Sequence, residues 1–89
     1  MIRILIVEDE EAIANLIWMN LKNAGYECVL AHTGNEGANR MEEGSFDLCI
    51  LDIMLPGIDG YELLEYANRL QLPVIFLTAK GEVPDKVKG

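Results

Sequence analysis

The chain has 89 residues, of which 51% are hydrophobic, and its formal net charge is −8. A chain of this length forms one small domain, and its acidity argues against direct nucleic-acid contact, which needs a basic surface. No apolar run approaches the roughly 18 residues that span a bilayer, and the N-terminus does not resemble a signal peptide. We therefore expect a cytoplasmic protein without membrane contact.

Hydrophobic periodicity divides the sequence into alternating strands and helices. Short apolar, β-branched runs predict strands, and stripes that repeat every three to four residues predict helices. The predicted strands are Ile2–Val7, Glu27–Ala31, Asp47–Leu51 and Val74–Thr78, and the predicted helices are Glu11–Ala24, Thr33–Glu43 and Gly60–Leu70. Pro84 is placed to begin a fourth helix, as a first helical residue.

Local signals mark the ends of these helices. Gly25 is a natural stop for the first helix, and Thr33 with Glu36 has the spacing of a capping box for the second. The apolar stripe of the first helix, which we expect to face the sheet, consists of Ile13, Leu16, Ile17, Leu21 and Ala24.

Cys28 and Cys49 lie in apolar strand segments, where we expect buried thiols in a reducing compartment. A zinc site is disfavoured because His32 is the only histidine.

The alternation of strands and helices with short connections predicts an α/β fold. Right-handed crossovers favour a doubly wound parallel sheet with helices on both faces. In such sheets the binding crevice lies beyond the carboxyl ends of the strands, where the strand order reverses. Glu8 and Asp9 directly follow the first strand, Asp52 ends the third, and Thr78 ends the fourth.

The three acids at this edge are candidate metal ligands. If strands one and three are neighbours, Asp9 and Asp52 lie close together with Glu8 beside them. Two carboxylates about 5 Å apart repel by roughly 3 kcal/mol at an effective dielectric near 20, so the cluster favours a cation. Oxygen ligands indicate magnesium or calcium, and a small, partly hydrated site beside a phosphate favours Mg²⁺.

A second interpretation of Glu8 and Asp9 stays open, because acids after a strand also stabilise the N-terminus of the next helix. Asp52 is harder to explain in that way. It interrupts an apolar segment, where a charge is costly unless it is paired or bound to a metal.

Three segments, taken in order, resemble the receiver domain of bacterial response regulators. They are Ile4–Glu10, Leu51–Gly60 and Leu77–Ala79. The resemblance covers essentially the whole chain. It implies a flavodoxin-like fold with strand order 2-1-3-4, and a phosphoacceptor signalling domain rather than an enzyme, with at most slow autophosphatase activity. The style of Leu77–Gly89 is similar to the subfamily that carries a winged-helix DNA-binding output domain, which would make the protein a transcription regulator.

The resemblance also implies a role for each site residue. Asp52 would accept a phosphoryl group from a sensor histidine kinase, and Thr78 would bond the phosphoryl oxygen, with the small Ala79 leaving room beside it. The implied Mg²⁺ ligands are Asp9, Asp52, the backbone carbonyl of Met54 and, through water, Glu8.

The resemblance predicts a single, truncated receiver domain over residues 1–89, because the family has a fifth strand and a fifth helix that this sequence lacks. The family's fifth strand carries a lysine that pairs with the phosphoryl group, and Lys80 does not match it. We therefore expect the fourth-strand edge to be exposed, and the chain to self-associate there or to be completed by another chain.

Two other functions compete with this one. A structural or interaction module would keep the fold without phosphorylation. A haloacid-dehalogenase-type phosphatase is disfavoured because it needs a second aspartate two residues after the first, where this sequence has Met54.

Overall fold

The computed structural model describes residues 1–52 and 60–77. Its elements are β1 (Arg3–Val7), α1 (Glu11–Asn23), β2 (Glu27–Ala31), α2 (Gly34–Glu43), β3 (Leu48–Asp52), α3 (Gly60–Arg69) and β4 (Val74–Leu77). All seven predicted elements are confirmed in type, and their described ends agree with the predictions to within one residue. The predicted helix from Pro84 lies outside the described residues.

The four strands form one parallel sheet in the order β2-β1-β3-β4. This confirms the predicted order. The chain runs from β1 outward to β2 and then returns to β3 on the other side of β1, so the order reverses between β1 and β3. Val7 lies opposite both Ala31 and Leu51, and the carboxyl ends of the three strands are therefore level.

The main core lies between one face of the sheet and the helices α2 and α3. Its buried side chains are Leu5, Val7, Ala31, Met41, Cys49, Leu51, Leu63, Ala67 and Leu72. Burial of a large aliphatic side chain contributes roughly 1.5–3 kcal/mol, so these contacts fix the two helices on the sheet.

The close approach of α2 to β1 depends on Gly37. A Cβ atom at this position would lie 3.0 Å from Cγ2 of Val7 and 3.3 Å from Cδ2 of Leu63. Glycine therefore allows α2 to rest on the last residue of β1, immediately before Glu8.

Helix α1 packs on the opposite face of the sheet, against β2 and β1. Ala14 is fully buried, and the indole N–H of Trp18 donates a hydrogen bond to the Cys28 carbonyl over 3.3 Å. The prediction that Leu16 faces the sheet is wrong, since its side chain is 57% exposed. Leu16 lies two residues after Ala14, about 200° around the helix, and so points away from the sheet. Ala24, at the end of the helix, is exposed as well.

Both cysteines are free thiols, as predicted, with Cys49 buried and Cys28 half-buried. They lie opposite successive residues of β1, Cys28 opposite Ile4 and Cys49 opposite Leu5. They therefore point to opposite faces of the sheet. Burial raises the pKa of the Cys49 thiol to about 12, which keeps it protonated and unreactive.

The longest described helix, α1, has 13 residues, and none of the described helices combines the length and hydropathy that a membrane span requires.

Candidate functional site

The site lies where β1 and β3 end side by side. Glu8 and Asp9 follow the last residue of β1, and Asp52 is the last residue of β3. One carboxylate oxygen from each of these three residues lies within 4.8 Å of the other two. The prediction that these acids meet at the carboxyl edge of the sheet is confirmed.

The three carboxylates differ in their exposure to solvent. Glu8 and Asp52 are each 2% exposed, whereas Asp9 is an exposed residue. A charge on a buried carboxylate is unfavourable unless a proton, a cation or hydrogen bonds compensate it. The cluster is therefore a buried pair of acids with one further acid on its solvent side.

The electrostatics of the cluster are clearest at Glu8. Burial raises the pKa of Glu8 to about 7, and its hydrogen bond with Asp52 and the charges of Asp52 and Asp9 act in the same direction. Only the hydrogen bond from the Glu10 amide opposes them. Two carboxyl groups can share a hydrogen bond only when one is protonated, and the raised pKa means that Glu8 keeps its proton to a higher pH than an exposed glutamate does.

Glu8 also serves the first helix. Its Oε2 accepts a hydrogen bond of 3.0 Å from the backbone N–H of Glu10, which is the N-cap of α1 and has no side-chain cap bond of its own. One carboxylate therefore stabilises the turn that leads into α1 and also faces Asp52, while the role of Glu8 as a metal ligand stays a prediction.

The end of β2 contributes a residue that the sequence analysis did not select. The N–H of Glu8 donates to the Ala31 carbonyl over 2.9 Å, and Nδ1 of His32 lies 3.2 Å from the Glu8 carbonyl oxygen. The backbone N–H of His32 in turn donates to Oε1 of Glu36 over 2.9 Å. The available signal was position, since His32 follows β2, the neighbour of β1 in the sheet.

The capping box of α2 is confirmed in one half and shifted in the other. The N–H of Glu36 donates to Oγ1 of Thr33 over 3.1 Å, as predicted. The Glu36 carboxylate, however, accepts from His32 rather than from Thr33. The cap therefore reaches one residue further back, toward the acidic cluster.

Three predicted site residues, Met54, Thr78 and Ala79, lie outside the described residues. Their roles stay predictions that rest on the resemblance.

A separate groove of about 430 Å³ lies between α2 and α3. It is lined by Ala38, Asn39, Glu42, Glu62, Leu63, Glu65, Tyr66 and Arg69. None of these residues belongs to the acidic cluster. A hydrogen bond between Glu42 and Tyr66 links the two helices here and raises the pKa of the Tyr66 phenol, so this groove is a helix contact with ordinary surface charges.

The chemistry of the acidic cluster fits a hard divalent cation. All three donors are carboxylate oxygens, which Mg²⁺ and Ca²⁺ prefer. A cation would compete with a proton for the oxygens of Glu8, and the exposed side of Asp9 offers access from solvent.

Comparison with known proteins identifies the family of this chain. The family model for the response regulator receiver domain matches residues 4–89. The chain belongs to this family. It is thus a receiver domain of the two-component response regulators, a class of signalling domain, with the CheY-like flavodoxin fold.

The receiver domain has relatives among transcriptional regulators. It is 47% identical over 88 residues to the transcriptional regulatory protein YkoG of Bacillus subtilis (strain 168), and 43% identical over 89 residues to the transcriptional regulatory protein PcoR of Escherichia coli. These alignments cover 97% and 98% of this chain but 39% of each relative. The chain therefore spans about two-fifths of the length of these relatives.

Solved structures show the same fold. The CheY-like receiver domain protein of Methanospirillum hungatei JF-1 superposes with a TM-score of 0.88 at 37% identity, over 98% of this chain and 71% of that one. Response regulator protein TrrA of Thermotoga maritima, in complex with Mg(2+)-BeF, superposes with a TM-score of 0.85 at 38% identity, over 91% of this chain and 72% of that one. TrrA in complex with the histidine kinase ThkA superposes with a TM-score of 0.85 at 37% identity, over 96% of this chain and 75% of that one.

Proposed function

We propose that this receiver domain accepts a phosphoryl group on Asp52, from a phosphohistidine of a sensor histidine kinase and with Mg²⁺ bound beside it. The observation that carries the proposal is the cluster of Glu8, Asp9 and Asp52, in which two buried carboxylates meet a third at the switch point of a parallel sheet. A cluster of this kind is unfavourable for stability alone, which supports a role in binding and chemistry.

In this proposal Asp9 and Asp52 would hold the Mg²⁺ directly and Glu8 would hold it through water, together with the backbone carbonyl of Met54 that the family resemblance implies. When bound, the cation neutralises negative charge on the transferring phosphoryl group. Asp9 would supply the ligand on the solvent side, because it is the exposed member of the cluster. Ionised Glu8 would add negative charge that favours the cation, and ionised Asp52 would be the nucleophile.

The proposed transfer is a displacement at phosphorus. A carboxylate oxygen of Asp52 forms a bond to phosphorus while the bond from phosphorus to the histidine nitrogen breaks, and the imidazole leaves with the electron pair. The product is an acyl phosphate on Asp52. The contribution of the chain is mainly positioning: Asp52 is held at the end of β3, which pairs with β1 on one side and with β4 on the other, where Asp52 lies opposite Leu77. We assign Thr78 and Ala79 the hydroxyl and access roles given by the resemblance.

The likeness to TrrA supports both the ligand and the partner. Beryllofluoride with Mg²⁺ has the charge and shape of a phosphoryl group beside its cation, and a histidine kinase is the partner that would supply the phosphoryl group here. The relationship to YkoG and PcoR supports a place in a transcription regulator.

One observation favours a second candidate, an interaction module that keeps the fold without phosphorylation. Protonation of Glu8, whose pKa is raised to about 7, would relieve the repulsion between the two buried carboxyl groups, so the fold does not require a cation.

Phosphotransfer to the chain separates the two candidates. The chain is incubated with MgCl₂ and a small-molecule phosphodonor and followed by intact mass, in parallel with Asp52→Asn and with the control Asp47→Asn. Asp47 is an exposed acid that accepts a hydrogen bond from the Arg3 N–H at the opposite edge of the sheet. We expect one added phosphoryl group on the wild type and on Asp47→Asn, and none on Asp52→Asn. An unmodified wild type, or equal modification of Asp52→Asn, would favour the interaction module.

A further inference from the structure

We propose that His32 is a positioning residue for the acidic cluster. Its ring holds the backbone carbonyl of Glu8 and thereby fixes the direction in which Glu8 and Asp9 present their carboxylates to a divalent cation. The inference rests on the proposed function, because it concerns the same metal site. It adds a residue that contacts neither the cation nor the phosphoryl group.

The backbone of Glu8 is held on both sides by the end of β2. Its N–H donates to the Ala31 carbonyl over 2.9 Å, and its carbonyl oxygen lies 3.2 Å from Nδ1 of His32. A carbonyl oxygen can only accept, so Nδ1 must carry a hydrogen. Neutral imidazole protonated on Nδ1 and the imidazolium both provide that donor, and the contact therefore does not depend on the charge of the ring.

His32 is itself fixed by α2. Its backbone N–H donates to Oε1 of Glu36, and the backbone N–H of Glu36 donates to Oγ1 of Thr33 in the first turn of that helix. Gly37, one residue further, brings α2 into close contact with Val7. The backbone of His32, from which the ring extends, is thus bonded to a helix that rests on the strand carrying the site.

The turn that His32 restrains contains the proposed ligands. Glu8 and Asp9 lie between the end of β1 and the start of α1, and Oε2 of Glu8 accepts the Glu10 N–H across this turn. Without the ring, the peptide group between Glu8 and Asp9 loses its hold on β2. The two carboxylates then become less preorganised for a cation, which is how outer residues of metal sites act on affinity.

The test measures Mg²⁺ affinity by isothermal titration calorimetry on the wild type, His32→Ala, His32→Asn and Trp18→Phe. Asparagine places a side-chain N–H donor close to the position of Nδ1 and serves as the rescue variant. Trp18→Phe is the matched control, because it also removes a side-chain donor to a backbone carbonyl, that of Cys28, but away from the site. Circular dichroism establishes that every variant is folded at the titration temperature.

We expect His32→Ala to weaken Mg²⁺ binding by about 3- to 10-fold, with His32→Asn and Trp18→Phe within about 2-fold of the wild type. In metal-free buffer, the exchange of the Glu10 amide hydrogen, read by NMR, should be faster in His32→Ala than in Trp18→Phe. This second readout reports on the turn itself.

Each other result is informative. A wild type that binds no Mg²⁺ overturns the proposed function and this inference with it. A wild type that binds, with His32→Ala binding equally well, overturns the inference alone. Equal losses in His32→Ala and Trp18→Phe, or the absence of rescue by asparagine, show a general loss of stability and also reject the positioning role.

Discussion

At the scale of single residues, Glu8 shows how burial and charge oppose each other in this fold. Its side chain is 2% exposed, and its pKa is raised from 4.5 in the unfolded reference to about 7 by burial and by the neighbouring acids. The folded chain thus binds a proton at Glu8 more tightly than the unfolded chain does. A proton and a metal ion compete for the same oxygens.

This competition predicts a pH-dependent stability in metal-free buffer. Because the folded pKa is raised, the contribution of Glu8 is fully present below pH 4.5 and is lost as the pH rises through about 7. Glu8→Gln mimics the protonated form and removes this loss. We expect its advantage in free energy of unfolding over the wild type to grow between pH 4.5 and pH 8 by up to roughly 3 kcal/mol, measured by urea denaturation in EDTA.

Saturating Mg²⁺ should reduce this effect in the wild type, because the cation stabilises the ionised form of Glu8. Glu43→Gln, on the exposed surface of α2, is the control and should follow the wild type at every pH. A constant difference between Glu8→Gln and the wild type across the pH range would show that Glu8 does not titrate between these limits.

At the scale of elements, α1 and α3 end in the same way with different residues. Each helix ends in a Schellman-type pair of backbone hydrogen bonds. After α1, the N–H groups of Gly25 and Tyr26 donate to the carbonyls of Lys22 and Leu21. After α3, the N–H groups of Gln71 and Leu72 donate to the carbonyls of Asn68 and Ala67. The turn residue has a positive φ in each case, 101° at Gly25 and 59° at Gln71. Glycine adopts this conformation freely, whereas a residue with a Cβ does so at a cost.

This difference predicts opposite effects of substitution at the two helix ends. Gln71→Gly should stabilise the chain by about 0.5–1 kcal/mol, because it relieves the left-handed backbone. Gly25→Ala should destabilise it by about 1 kcal/mol or more. Nothing lies within 4 Å of a Cβ at Gly25, so the stability lost in Gly25→Ala would report backbone strain rather than a clash. The midpoints of urea denaturation measure both changes in stability, and a destabilised Gln71→Gly would show that the positive φ at Gln71 carries no strain.

The two helix ends also show what sequence patterns can and cannot predict. The stop after α1 was predictable because glycine signals a left-handed residue. The same turn at Gln71 was not, because glutamine has no such preference and tertiary packing of Leu72, 7% exposed in the core, holds it there. Leu16 was misplaced for a related reason, since an apolar residue matched the approximate period of the stripe but not its angle around the helix.

The residues of the site were likewise predictable from sequence only in part. Glu8, Asp9 and Asp52 could be placed together from sequence, because strand order alone brings the ends of β1 and β3 to one edge. His32 could be placed near this edge from its position after β2, but its contact with the Glu8 carbonyl could not be predicted, because that contact depends on the direction of the side chain. The raised pKa of Glu8 likewise requires the burial that only the folded chain defines.

At the scale of the whole molecule, the helices that the structure describes cover the two faces of the sheet unequally. Helices α2 and α3 pack on one face, and α1 packs on the other against β2 and β1. On that second face, Ile50 of β3 and Ile75 of β4 lie opposite each other, and Ile75 is 52% exposed. β4 is also the edge strand of the sheet that the described residues form. Exposed apolar side chains on an edge strand favour pairing with another chain.

This exposure predicts concentration-dependent self-association of the 89-residue chain, which sedimentation velocity measures across a dilution series. Ile75→Lys places a charge on the exposed face of β4 and should shift the equilibrium toward monomer by at least about 10-fold in dissociation constant, because burying an unpaired lysine in a strand interface is unfavourable. Met19→Lys is the matched control, since Met19 is 51% exposed but lies on α1. It should leave the association unchanged. A wild type that stays monomeric at the highest concentration, or a larger effect of Met19→Lys than of Ile75→Lys, would move the contact away from β4.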